Sequence, residues 1–397
     1  MNVRRVHLEW FRNHTDSDLE LGGKVNVLHG KNGQGKTNVL EALSCLCLTK
    51  SFYAANDSTL VQFGREGFRV EGWFAGDAGM EQRVCLTYAR SSGEKVYTIN
   101  GIREEKLSSV IGLFPVVILA PESSAITFGG PSDRRRFMDL LLSQLSRAYF
   151  DDLLEYRQVL RQRNRILAEA RQGKTVRDEV LDPWDSSLAS SGARIISRRA
   201  AFLGEFGAYV ARSYAGIMTA GEEPELRYET APGIAEGENT GQIVTVLHDQ
   251  MKERRGEELR RGLSLVGPHR DDVIFGLNGL DLRRYASQGQ HKTFLIALKM
   301  AEFVYLRERR EETPLLLLDD VLSELDRERS MHLLSGVAHM GQTVVTTTDA
   351  TLFGDVFPQD SGSRQFAIEG GVCRREGSKD TRETAIAAEV GPRSPDT

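Results

Sequence analysis

Three textures alternate along this chain. Residues 1–30 read as short strands, the last being the apolar run Val25-Asn-Val-Leu-His-Gly30. Apolar residues then fall at Val39, Leu40, Leu43 and Leu46 or Cys47, steps that predict a helix over 37–48. Between residues 60 and 110 the stretches "FRVEGWF", "QRVCLTYA" and "KVYTING" alternate apolar with polar, which predicts an antiparallel sheet. "PVVILAP", residues 115–121, is continuously apolar and predicts a strand buried on both faces.

The texture changes at "GGPSDRRR". Ser132 is expected to cap a helix, with Asp133 in its first turn. A long helical stripe follows through Phe137, Leu141, Leu145, Tyr149, Leu153, Tyr156, Leu160 and Leu167, and is expected to end at Gly173 and the Asp182-Pro183 break. A second stripe runs through Leu188, Ile195, Phe202, Phe206, Val210, Tyr214 and Ile217. Steps of three, four and seven suit an antiparallel helical pair inside an all-α insertion. A loop or strand-loop precedes a further helix at 243–261. Sheet patterning returns at "VIFGLNGLDLRRY", then a helix to about Arg310 and two buried strands, "TPLLLLDD" and "QTVVTTTD". From Glu369 onward large apolar residues are scarce, so a disordered tail is expected. The resulting division is 1–128 and 263–368 for the two parts of an α/β unit, 129–262 for a helical insertion and 369–397 for the tail.

Composition narrows the class. With 397 residues, 40% hydrophobic and 27% charged, the chain can bury a sizeable core and suits a soluble globular protein of two or three domains. No apolar run reaches membrane-spanning length and no secretory leader is visible, so a cytoplasmic protein is expected. Cys45, Cys47, Cys85 and Cys373 match no zinc spacing, and the first two fall on the apolar helical stripe. The net charge of −5 does not advertise nucleic-acid binding, though a local basic stripe would suffice.

"GKNGQGKT", Gly30 to Thr37, fits G-x-x-x-x-G-K-[ST] in full between a predicted strand and a predicted helix. In such a loop the backbone N–H groups of Gly30, Lys31, Asn32, Gly33, Gln34 and Gly35 wrap phosphates. Lys36 reaches the β- and γ-phosphates, and the Thr37 hydroxyl is a magnesium ligand. The acidic partner expected on a neighbouring strand is "LLLLDD": Asp319 for magnesium, and Asp320 to accept a proton from attacking water. Asp319 follows Lys36 by 283 positions, so a whole domain lies between them. The guanine signature N-K-x-D is absent, which favours ATP.

A polar turn, Ala286-Ser-Gln-Gly-Gln290, opens the helix just before the carboxylate strand. This order of motifs resembles the head of ATP-binding-cassette ATPases, in the branch of the structural-maintenance-of-chromosomes and Rad50 proteins. The fold implied is an α/β head, a mixed sheet around the phosphate loop, carrying an inserted helical domain as a short antiparallel arm. "FRNH", "GKNGQGKTNVLEAL", "GGPSDRRRFMD", "QRNRIL", "GPHRDD", "YASQGQHKT" and "LLLLDDVLSELD" look like the RecF family of recombination mediators, over residues 11 to about 330. The resemblance implies ATP and Mg2+ as cofactors and a weak ATPase. It also implies an ATP-dependent homodimer that binds DNA near single-strand gaps and works with RecR and RecO to place RecA. In that arrangement Ser287, Gln288, Gly289 and Gln290 of one copy meet the ATP of another. Ser323 and Asp326 match the loop that crosses the interface, and Arg12 and Asn13 the turn beside the nucleotide.

Two departures bear on rate. Cassette ATPases often carry a Gln after the strand matched by "PVVILAP", where this chain has Pro121-Glu122, and a His after the last strand, where it has Thr347-Thr348-Asp349. Slow turnover is therefore expected. Candidate DNA contacts are Arg134, Arg135, Arg136, Arg161, Arg163, Arg165, Arg198, Arg199, Lys252, Arg254 and Arg255, although clusters of this kind, each taken alone, are more often solvated helix faces. His269 to Asp272 of "GPHRDD" could serve the interface or form an ion-paired turn. Two other classes compete: a transporter-coupling cassette ATPase, which prefers L-S-G-G-Q over A-S-Q-G-Q, and a P-loop kinase or ligase, which needs no such turn.

Overall fold

The computed structural model describes residues 1–217, 221–234, 237–321, 336–337, 339–349 and 362–376. Strands β1 (Asn2–Phe11) and β2 (His14–Glu20) form a hairpin. Strand β3 (Val25–His29) runs through the phosphate loop into helix α1 (Lys36–Leu48). Next come β4 (Gly67–Ala75), β5 (Glu81–Ala89), β6 (Lys95–Ile99) and the short β7 (Ile102–Arg103). They extend the hairpin into one antiparallel sheet, β2-β1-β4-β5-β6-β7, as the alternation predicts. Strand β8 (Val116–Leu119) leaves this sheet and joins another.

The helical region begins with the short α2 (Ala125–Phe128). The single long stripe expected after Ser132 is two helices, α3 (Pro131–Leu145) and α4 (Arg147–Arg171), broken at Ser146. The cap of α3 is Gly130 rather than Ser132, because Pro131 fits the first helical position and Asp133 Oδ2 accepts from the Gly130 N–H at 3.0 Å. The Asp182-Pro183 dipeptide does not end a helix. It lies inside α5 (Asp178–Ile217), early enough that the proline ring crowds only the first turn, while packing against α4 carries the rest. The insertion is not all-α either. After α5 it contains β9 (Pro224–Glu229), and then α6 (Thr240–Arg261).

Strand β9 pairs with β10 (Asp272–Leu277), and β10 pairs with β11 (Leu280–Asp281), so this sheet crosses the expected boundary at 262. A one-turn helix α7 (Leu282–Tyr285) leads to α8 (Gln288–Arg309), then β12 (Leu315–Leu318) and β13 (Thr343–Thr347). The expected tail starts as structure: β14 (Arg364–Glu369) turns into β15 (Val372–Arg375), so the sheet claims residues past 369. Residues 377–397 lie outside the described residues.

The central sheet has the order β15-β14-β3-β13-β12-β8, parallel from β14 through β8. Its strands alternate between two apolar clusters. Val25, Val27, Val117, Leu119, Leu316, Leu318 and Val345 join the helices on one side. Leu28, Val116, Ile118, Leu315, Leu317 and Val344 join α1 and the antiparallel sheet on the other. Burial on both faces is why these strands read as unbroken apolar runs. At the β8 edge, Gln144 of α3 satisfies Val116 through both its N–H (2.9 Å) and its carbonyl (3.2 Å). Cys45 and Cys47 are fully buried in the second cluster, as expected.

Candidate nucleotide site

The loop between β3 and α1 needs its glycines for separate reasons. Gly33 has φ +77° in open space, so conformation alone demands glycine. Gly35 has φ +111°, and a Cβ there would sit 2.5 Å from Asn13 Oδ1. Gly35 caps α1 with no side-chain hydrogen bond, and no acidic residue lies in the first turn. No side chain of α1 itself therefore compensates its positive end, a local field suited to an anion. Lys36 is buried, and its Nζ donates to the carbonyls of Gly30 (2.7 Å) and Lys31 (2.9 Å). Burial pulls its pKa down, while Asp320 and Asp319 oppose that shift.

The carboxylates stand directly beside this loop. Thr37 Oγ1 donates to Asp319 Oδ1 at 2.9 Å, joining positions 282 residues apart. Asp319 is buried, and burial raises its pKa against hydroxyls from Thr346 (2.7 Å) and Thr37. A hydroxyl and a buried carboxylate, both hard oxygen donors, fit Mg2+, which would relieve the desolvated charge. Asp320 adopts φ +49°, and its N–H donates to Thr346 Oγ1 at 2.9 Å. The carboxylate strand is not the neighbour of the phosphate-loop strand. β13 lies between them, and its Thr346 bridges to both aspartates.

The N-terminal turn divides its work. Asn13 Nδ2 donates to the Gln34 carbonyl at 2.9 Å, against the loop itself. Arg12 instead grips Glu41 of α1 through Nε (3.0 Å) and a terminal nitrogen (2.9 Å). The sequence reading missed His14, fully buried, whose Nε2 lies 3.0 Å from the Gly35 carbonyl. It also missed the Gly370-Gly371 turn, whose N–H groups reach Gln34. Their position in a segment expected to be tail concealed them.

Ser287 caps α8, and the turn is a reciprocal box. Ser287 Oγ accepts from the Gln290 N–H (3.3 Å), and Gln290 Oε1 accepts from the Ser287 N–H (2.8 Å). The spacing S-x-x-Q signals this arrangement. Gln290 Nε2 also donates to Glu222 at 2.7 Å. Ser287 and Gln288 are exposed. Gln288, His291 and Lys292 line a cleft of about 250 Å³ shared with Asp319, Asp320 and Phe128. Ser323 and Asp326 lie outside the described residues.

Several candidate DNA contacts prove to be internal. Arg163 is fully buried between Asp185 and Glu258, each at 2.6 Å. Arg134 forks onto Asp272 at 2.8 Å, Arg199 meets Asp139 at 2.7 Å, and Arg255 pairs with Asp178, Asp182 and Asp185. Charges so engaged hold helices together rather than meet phosphates. Arg198 is half-exposed and bound to Asp152, and Arg135 donates to the Asp271 carbonyl. Arg136, Arg161, Arg165, Lys252 and Arg254 remain exposed. The "GPHRDD" segment is the hub of this network. His269 contacts Tyr156 (2.6 Å), Arg270 donates to the Ser264 carbonyl (2.7 Å), Asp271 accepts from Tyr228 and Thr230, and Asp272 holds Arg134.

Comparison with known proteins accords with this geometry. Residues 2–362 match the family described as RecF/RecN/SMC N terminal domain. The DNA replication and repair protein RecF of Chloroherpeton thalassium is 41% identical over 359 residues, covering 90% of this chain and 97% of that protein. The RecF protein of Bacillus subtilis is 35% identical over 348 residues, 88% of this chain and 93% of its own. Among solved structures, the recombination mediator protein RecF with ATP, in the RecFOR pathway, superposes with a TM-score of 0.86. It is 33% identical, covering 94% of this chain and 97% of its own. An Smc head bound to the C-terminal winged-helix domain of ScpA shares the fold, with a TM-score of 0.55 and 12% identity, covering 98% of this chain and 100% of its own.

Proposed function

We propose, from the premise that the chain belongs to the RecF family of DNA replication and repair proteins, that it is an ATP-switched DNA-binding protein of recombinational repair. The observation that carries this reading is the Thr37–Asp319 contact, which joins the phosphate loop to the carboxylate strand in one partly buried acid–hydroxyl pair. In this reading Lys36 leaves the Gly30 and Lys31 carbonyls for the β- and γ-phosphates. Thr37 and Asp319 would hold Mg2+, which when bound would supply positive charge against the phosphates. Asp320 accepts the proton of the attacking water.

The exposed Ser287 and the N-terminal turn of α8 belong, on this proposal, to the site of a second copy. Their donors would cap its γ-phosphate, so ATP glues two heads together and hydrolysis releases them. The dimer then clamps DNA at single-strand gaps, with RecR and RecO as partners and RecA loading as the outcome. Pro121-Glu122 and Thr347-Thr348-Asp349 supply neither the expected Gln nor the expected His. Turnover should accordingly stay below about 1 per second.

Light scattering with and without ATP tests the switch. Wild type should pass from monomer to dimer on adding ATP. Lys36→Met should lose ATP binding and dimerisation, and Ser287→Arg should bind ATP yet stay monomeric. Normal dimerisation by Ser287→Arg would refute the role in trans.

A further inference from the structure

The C-terminal hairpin grips the back of the phosphate loop. The Gln34 carbonyl accepts from the Gly371 N–H (2.9 Å) and from Asn13 Nδ2 (2.9 Å), and Gln34 Oε1 accepts from the Gly370 N–H (2.7 Å). The next carbonyl, of Gly35, faces His14 Nε2 at 3.0 Å and also accepts from the Asn38 N–H at 3.1 Å. His14 is itself tied to the hairpin. Its Nδ1 lies 2.9 Å from Ser17 Oγ, which donates to the Gly371 carbonyl at 2.7 Å. A close backbone approach completes the seam: a Cβ on Gly30 would lie 2.4 Å from the Ile368 carbonyl oxygen.

A trans peptide is planar, so its C=O and N–H point in opposite directions. Pinning the Gln34 carbonyl to the hairpin turns the Gly35 N–H the other way. Pinning the Gly35 carbonyl to His14 does the same for the Lys36 N–H. These two N–H groups belong to the stretch that wraps phosphates. We propose that the Gly370-Gly371 turn, with Gln34 and His14 as positioning residues, pre-orients the phosphate-binding N–H groups, so that the C-terminal hairpin sets affinity for the triphosphate. This inference rests on the nucleotide reading given above and adds a control point to it. Gly371 suits the task, since it has φ +81° and a Cβ there would lie 2.2 Å from the Asn13 carbonyl oxygen.

The test measures dissociation constants for ATP and for inorganic tripolyphosphate, by calorimetry, on the full chain. The variants are Gly371→Ala, Gln34→Ala, His14→Ala and His14→Gln, with Lys36→Met as the reference for loss of the site. Gly371→Ala and His14→Ala should each weaken both ligands by the same factor, roughly tenfold, and Gln34→Ala, which removes only the bond from the Gly370 N–H and leaves the pinned carbonyl, should weaken both by less. His14→Gln, which can still donate to the Gly35 carbonyl, should recover most of the loss. A general loss of folding would weaken both ligands too, but would lower the nucleotide-free melting temperature and would not be rescued by glutamine. Unchanged affinity in the hairpin and His14 variants, with binding lost in Lys36→Met, would overturn the brace alone. Binding retained in Lys36→Met would overturn the nucleotide reading and the brace together.

Discussion

His269 shows how one residue converts burial into a pH response. The Ser264 carbonyl can only accept, so Nε2 carries the proton at 3.1 Å, and Nδ1 takes the Tyr156 hydroxyl proton at 2.6 Å. Both ring nitrogens are satisfied in the neutral form. Burial, then the neighbouring arginines 270, 135 and 163, push its pKa down to about 4 from 6.5, against the Ser264 bond. Between those values the unfolded chain binds more protons than the native one, so stability falls as pH drops from 6.5 to 4. The loss amounts to at most about 3 kcal/mol. Urea titrations across that range should show His269→Gln losing this part of the slope; an unchanged slope would mean His269 is not the group responsible. At the same scale, Ser287 and the phosphate-loop residues were legible from motif and spacing. Arg163 and Arg199 were not, because a charged residue on a helical stripe looks the same whether water or a buried carboxylate receives it.

Among the elements, β13 has the most to do beyond packing. It separates the strand of the phosphate loop from that of the carboxylates, and Thr346 serves Asp319 and the Asp320 N–H at once. Thr346→Val keeps the shape and removes both bonds. Asp319 then loses the bond that fixes its carboxylate in place, which on the proposed reading loosens its hold on Mg2+. ATP binding should need roughly tenfold more Mg2+, read from a magnesium titration, with a stability loss of about 1–3 kcal/mol. Hydrophobic periodicity assigned most of these strands correctly, since it records which faces are covered. It could not give strand order, which depends on contacts between residues far apart in the chain. It also misplaced the ends of α3 and α5, where Gly130 and Pro183 act through backbone geometry that no apolar stripe reports.

For the molecule as a whole, the arithmetic of charge restricts where the proposed DNA contact can lie. The net charge is −5, and Arg134, Arg163, Arg199 and Arg255 are spent inside. An ATP-held pair of heads would double whatever exposed basic surface remains, which includes Arg161, Lys252 and Arg254. Replacing these three by Gln should make binding to a gapped duplex less salt-dependent, reducing the log–log slope by about three per copy. Anisotropy at a series of salt concentrations, with ATP present, measures it. An unaltered slope would move the contact surface elsewhere on the heads.

The order of the central sheet also sets a timetable. The strand leading into the phosphate loop, β3, has β13 and β14 as its neighbours, and both are translated more than 300 residues later. At about 5–20 residues per second, a ribosome takes on the order of 15–70 s to cover that distance. Throughout that interval the growing chain carries every phosphate-loop residue yet lacks the strands that flank them. On the reading proposed above, the site for ATP therefore stays unformed in a nascent chain until residues 343–369 have been made.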